Sequence, residues 1–250
     1  MTSTSTPTAA STVPTAEIRM GQGLSAPDRA VRTDGGSGGG DATGRPWRRI
    51  ALVGAAALSP LAMALQYGLN RAGLPRQDAE VYLPAVAGSA GSFLASTVAY
   101  AVAMASLVAV GALAAVVLRR HAPVASAASA ALLTVGAIGG GAFLGLRLAA
   151  LALVEDGQVV PGGVEAFVRL QGAIIDPVGL LLVCAILGTL VLAVAMLRAR
   201  RDLGWWPAAV TVVGFVLASG EFPTAVSVLG ALVQGCALVP LARLALRPGR

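Results

Sequence analysis

Arginine clusters alternate with long apolar runs along this chain, and few folds in water accommodate such a pattern. All 18 basic residues are arginine. Most gather at Arg45, Arg48 and Arg49, at Arg119 and Arg120, at Arg198, Arg200 and Arg201, and at Arg243, Arg247 and Arg250. Every second gap between apolar runs is basic, and the gaps in between are mostly acidic. A chain that crosses a bilayer several times encodes its orientation in this way, because arginine-rich short loops stay on the cytoplasmic side.

Composition agrees. Hydrophobic residues make up 56% of the chain and charged residues 12%, and the mean hydropathy is +0.78. A soluble domain of this length carries about 25% charged residues, so the deficit is too large for an ordinary water-facing surface. The apolar residues are mainly Ala, Val, Leu and Gly, which suit helices packed closely in lipid. The net charge of +6 lies in loop arginines, which leaves no basic helix for a nucleic-acid groove. Nucleic acid is therefore not an expected partner.

Residues 1–46 differ from the rest. They are rich in Ser, Thr, Pro and Gly, and Glu17, Asp28, Asp34 and Asp41 balance Arg19, Arg29, Arg32 and Arg45. Such a segment buries too little surface to offset its ordering entropy, which predicts a disordered cytoplasmic tail. Residues 47–250 contain six apolar runs, at 50–69, 88–118, 125–154, 172–197, 203–220 and 224–246. Crossing a hydrocarbon core of about 30 Å takes roughly 20 helical residues. The fifth run is the weakest, and the charges decide its reading. With six crossings, Arg45, Arg48, Arg49, Arg119, Arg120, Arg198, Arg200, Arg201, Arg243, Arg247 and Arg250 share one side, and only Arg71, Arg76 and Arg169 occupy the loops opposite. If the fifth run stopped short, the C-terminal arginines would change sides. The expected fold is all-α: a six-helix transmembrane bundle in the cell membrane, with both termini cytoplasmic. Arg48-Arg49 before an Ala-rich stretch also resembles a twin-arginine leader. Trp47 before the pair and Ala51-Leu52 after it depart from that motif, so the stretch reads as a first transmembrane helix.

Within the runs, Arg147 is the outlier. It lies about two turns inside the outer end of the third run, where a charge costs at least about 2.5 kcal/mol at the midplane and points to function. Asp176, about one turn inside the fourth run, is its natural partner across an antiparallel helix pair. Arg147 and Asp176 together form the candidate polar site. They serve as an outward-facing site on a solute path, or as a structural ion pair, or else Arg147 snorkels alone to the interface. Pro177 disfavours helix in the residue before it, so Asp176 is alternatively an N-cap with the helix beginning at Pro177. Asp156 and Glu221 are further acids at the same face. Gly136, Gly139, Gly140, Gly141 and Gly145 give the third run a smooth surface for close helix approach. Gln66, Tyr67, Tyr100 and Gln234 are polar groups for interhelical hydrogen bonds. His121 is a loop residue, and Cys184 and Cys236 read as small buried side chains without metal-ligand spacing.

No phosphate loop, metalloprotease helix or nucleophile elbow is present in the sequence. No enzymatic activity, cofactor or metal is therefore expected. In composition and topology the chain after the tail resembles the uncharacterised multi-pass membrane proteins of high-GC Gram-positive bacteria, a resemblance that implies no activity. The expected function is that of an integral membrane protein of structural, interaction or accessory type. The alternative is a small transporter or channel built on Arg147 and Asp176. Expected partners are the lipid bilayer and either another membrane protein or further copies of this chain.

Overall fold

The computed structural model describes residues 46–75, 77–219 and 222–247, apart from the side chains of Pro46, Asp176 and Pro177. The chain divides into two compact units, Met1–Ala42 and Thr43–Arg250, and every described residue belongs to the second. The expected disorder of the tail lies outside the described residues.

The second unit is a helical bundle. Its elements are α1 (Pro46–Leu69), α2 (Ala79–Ala87), α3 (Ala90–Leu118), α4 (Pro123–Ala152), the two-residue strands β1 (Val154–Glu155) and β2 (Gln158–Val159), α5 (Gly163–Arg198), α6 (Arg200–Leu203), α7 (Trp206–Ser219) and α8 (Thr224–Leu246). The six apolar runs correspond to α1, α3, α4, α5, α7 and α8. Five of these helices are long and apolar enough to cross a bilayer. The sixth, α7, has 14 residues, which at about 1.5 Å each gives roughly 21 Å of helix. Trp205 and Trp206 at its start are exposed.

Local sequence explains the boundaries. Pro123 opens α4, where its missing N–H is not needed. Asp156-Gly157 joins β1 to β2 with φ of 49° and 76°, the left-handed pair that a two-residue hairpin turn requires. Asp78 caps α2, its side chain accepting from the Glu80 N–H at 3.0 Å. Neither the hairpin nor α2 is among the expected elements. One expectation is corrected: the fourth helix does not begin at Pro177. It begins at Gly163 and runs through Asp176 and Pro177, because a proline about four turns into a 36-residue helix removes one donor without stopping the rest. Asp176 is thus not an N-cap.

The six long helices form a ring in the order α1, α3, α4, α5, α7, α8, which closes from α8 back to α1. The α5–α7 seam is the thinnest. Small residues set the tight approaches. A Cβ at Gly136 would lie 2.5 Å from the Ala185 Cβ, and one at Gly139 would lie 2.7 Å from the Leu181 Cβ, so α4 and α5 touch almost backbone to backbone. Gly214 and Gly230 do the same for α7 and α8. Gly141 and Gly145 instead face open space. Across α4 and α5 the Ser129 hydroxyl donates to the Gly188 carbonyl at 3.0 Å.

Two packed cores occupy opposite ends. One joins Ala56, Leu118, Ala125, Met196, Ala208 and Leu244 at the arginine-rich end. There Asp202 meets His121 at 3.0 Å, so the loop histidine has a carboxylate partner. The other joins Ala72, Tyr82, Phe93, Leu146, Ala150 and Phe167 beneath the hairpin. Each core collects the starts of some helices and the ends of others, so the helices alternate in direction around the ring.

Candidate functional site

Between the two cores the ring holds a partly open cavity of about 510 Å³, lined by residues of all six ring helices. This lies within the range of about 300–1,000 Å³ typical of small-molecule sites. Most of the wall is apolar, including Met63, Met104, Phe143, Leu182, Ile186 and Phe215. Gln66, Tyr67, Tyr100, Thr211 and Gln234 add neutral polar groups, and Arg147 adds the one charge among the described lining residues.

Arg147 is 2% exposed. It does not snorkel, and that expectation is corrected. It turns to the neighbouring α3, where Nε donates to the Thr97 hydroxyl oxygen at 3.1 Å and a terminal nitrogen donates to the Ser96 hydroxyl oxygen. Both hydroxyls donate hydrogen bonds to the Phe93 carbonyl, Thr97 at 2.7 Å and Ser96 at 2.8 Å. Their lone pairs are thereby turned toward the guanidinium. The cation also lies 4.5 Å from the centroid of the Phe93 ring and 5.7 Å from that of Tyr100. Charge-assisted hydrogen bonds contribute about 1.5–3 kcal/mol each, and a desolvated cation–π contact about 2 kcal/mol. These terms offset the insertion cost of a charge without a carboxylate.

Among the described residues no carboxylate lies within ion-pair distance of Arg147. Asp156 sits on the exposed hairpin turn. Glu221 and the Asp176 side chain lie outside the described residues, so the structure leaves the Arg147–Asp176 pairing open. Asp176 follows Ile175, which lines the cavity. Hydroxyls on an apolar helix are so common that Ser96 and Thr97 carried no distinguishing signal in the sequence.

At the hairpin end Leu74 and Pro75 roof the cavity. Gln171, in the part of α5 that precedes the apolar run, donates from Nε2 to the carbonyls of Pro75 at 2.5 Å and Gln77 at 2.9 Å. Asn70 donates to the Gly73 carbonyl at 2.8 Å, where the chain turns with φ of 81°. Beside the roof, Tyr82 stacks on Phe167 at 5.5 Å and meets Phe93 edge-on at 6.0 Å. Its hydroxyl is buried without a hydrogen-bond partner among the described residues. Burial pushes the phenol pKa well above its ordinary value, and the charge of Arg147 pulls it back in part.

Fold and site together describe a helical bundle whose five long apolar helices are compatible with an integral membrane protein, with a buried cation at one end of a cavity. No family model, no curated protein and no solved structure matches the chain.

Proposed function

We propose that the protein binds a small molecule inside its bundle, as a carrier or binding protein of the cell membrane, with Arg147 as the anchor. The observation that carries this reading is that Arg147 is 2% exposed and yet lines a cavity of about 510 Å³. A purely structural arginine is better served by a fully packed interior, since a void forfeits dispersion contacts. The reading gives the transporter-type alternative more weight than a structural or accessory role, and it involves no covalent chemistry and no cofactor. The arginine clusters support a cytoplasmic location for both termini, which puts Arg147 in the outer half of the membrane.

Native mass spectrometry of protein released from a mild neutral detergent tests the reading. Gly179 lines the cavity, and a Cβ there meets nothing within 4 Å, so Gly179→Leu adds bulk at the wall from a point of open space. Wild type is expected to retain one bound molecule that Gly179→Leu has lost. Equal spectra for the two proteins would contradict the proposal.

A further inference from the structure

The chemistry of the cavity narrows its occupant. Arg147 lines one end, its guanidinium is held by Thr97 and Ser96, and these bonds engage two of its five N–H donors. Most of the rest of the wall is apolar, from Met104 and Phe143 to Leu107 and Leu192, with neutral groups such as Thr189, Thr211 and Gln234 set into it. Arg147 and Gly136 both line the cavity and lie 11 residues apart on α4, about 16 Å along the helix. An extended chain of single bonds advances roughly 1.2 Å per bond, since three backbone bonds cover about 3.6 Å. The apolar length therefore matches a tail of about a dozen atoms. Resting on the cavity as ligand site, we propose that it takes a single-chain amphiphile with one anionic head, carboxylate or phosphate. The head lies at Arg147 and the tail runs toward the arginine-rich end.

The route in is sideways. Leu192, Met196 and Ala208 belong to the packed core at the arginine-rich end, where the Thr211 hydroxyl meets the Met196 sulfur at 3.5 Å. Nearer the hairpin, Val183 and Ile186 of α5 line the cavity and are still 44% and 42% exposed. The thinnest seam of the ring runs between α5 and α7, both of which line the cavity, and the exposed Val183 and Ile186 mark an open side of its wall. A ligand already dissolved in the membrane enters there without crossing the roof. The guanidinium fork suits carboxylate and phosphate oxygens alike, so both heads share one recognition chemistry.

The test uses full-length protein, stripped of lipid in a neutral sterol-based detergent, with thermal stability as the readout. Dodecanoate, dodecyl phosphate, dodecanol and acetate are compared. Dodecanoate or dodecyl phosphate is expected to raise Tm at concentrations at least tenfold below those of dodecanol, and acetate is expected to have no effect in that range. The stronger of the two anions identifies the head group. Arg147→Gln is expected to erase the tenfold preference and Arg147→Lys to keep most of it. If Arg147→Gln does not fold, the wild-type ranking decides alone. Equal potency of dodecanol and the anions overturns the anionic head, and equal potency of acetate overturns the tail. A response to every dodecyl compound that persists unchanged in Gly179→Leu overturns the cavity as ligand site, which is a separate failure.

Discussion

Arg147 on α4 donates through Nε to the hydroxyl oxygen of Thr97 on α3 at 3.1 Å, a contact between residues 50 apart in sequence. The bond makes a neutral hydroxyl the support of a buried charge. Thr97→Val is expected to lower stability by about 1.5–3 kcal/mol, the value of a hydrogen bond to a charged group. In a double-mutant cycle with Arg147→Leu, thermal melts should give a coupling of roughly 0.5–3 kcal/mol. Additive losses would mean that the two side chains do not meet. A parallel cycle of Arg147→Leu with Asp176→Leu tests the ion pair expected from sequence. Recovery in that double mutant would establish the pair.

Tyr82 carries a buried hydroxyl with no partner among the described residues. Tyr82→Phe removes an unsatisfied group while keeping the ring contacts to Phe93 and Phe167. It is expected to raise stability by about 1 kcal/mol or slightly more.

The same residue sets an alkaline limit. Its phenol pKa is raised in the folded state above the ordinary 10.0. Above about pH 10 the unfolded chain loses this proton and the folded chain keeps it, so stability is full below that pH and falls as pH rises beyond it. Urea titrations at pH 9 and pH 11 should show a decline in wild type that is smaller in Tyr82→Phe. Equal declines would contradict the assignment.

Two glycines on one helix should respond in opposite ways. Gly136→Ala places a Cβ 2.5 Å from that of Ala185, and overpacking of this kind costs about 1–3 kcal/mol. Gly141→Ala meets nothing within 4 Å and is expected to be neutral, or stabilising by up to about 1 kcal/mol. Matching melting temperatures for the two variants would refute the α4–α5 contact.

Orientation is tested with single cysteines in a background of Cys184→Ala and Cys236→Ala. Gln158→Cys on the hairpin should react with an impermeant thiol reagent applied to intact cells. Arg120→Cys at the arginine-rich end should not. Both positions are exposed, so a reversed pattern would invert the assigned topology.

Most helix boundaries fall close to the ends of the apolar runs, because apolar length is carried by local sequence; α5, which begins at Gly163 rather than near 172, is the exception. The sixth run, 224–246, coincides with α8. The hairpin was written in Asp156-Gly157 but is too short to compete with the apolar runs on either side. The α2 helix, only nine residues with Pro84 inside, looked like a loop. Arg147 stood out as a charge inside an apolar run. Its described partners did not, because an opposite charge was sought and the helix pairing supplied hydroxyls and an aromatic ring. The cavity depends on which faces of six helices meet, a property that no local pattern records.

The most direct test of the central claim is the reactivity of Gly179→Cys toward N-ethylmaleimide in native membranes, in the same background without the two native cysteines. Ala195→Cys, at a position 0% exposed within the packed core, serves as the control. The expected result is labelling at 179 in the folded protein and none at 195 before denaturation. Position 179 remaining as silent as 195 until the protein unfolds would contradict the cavity, and with it the proposed function.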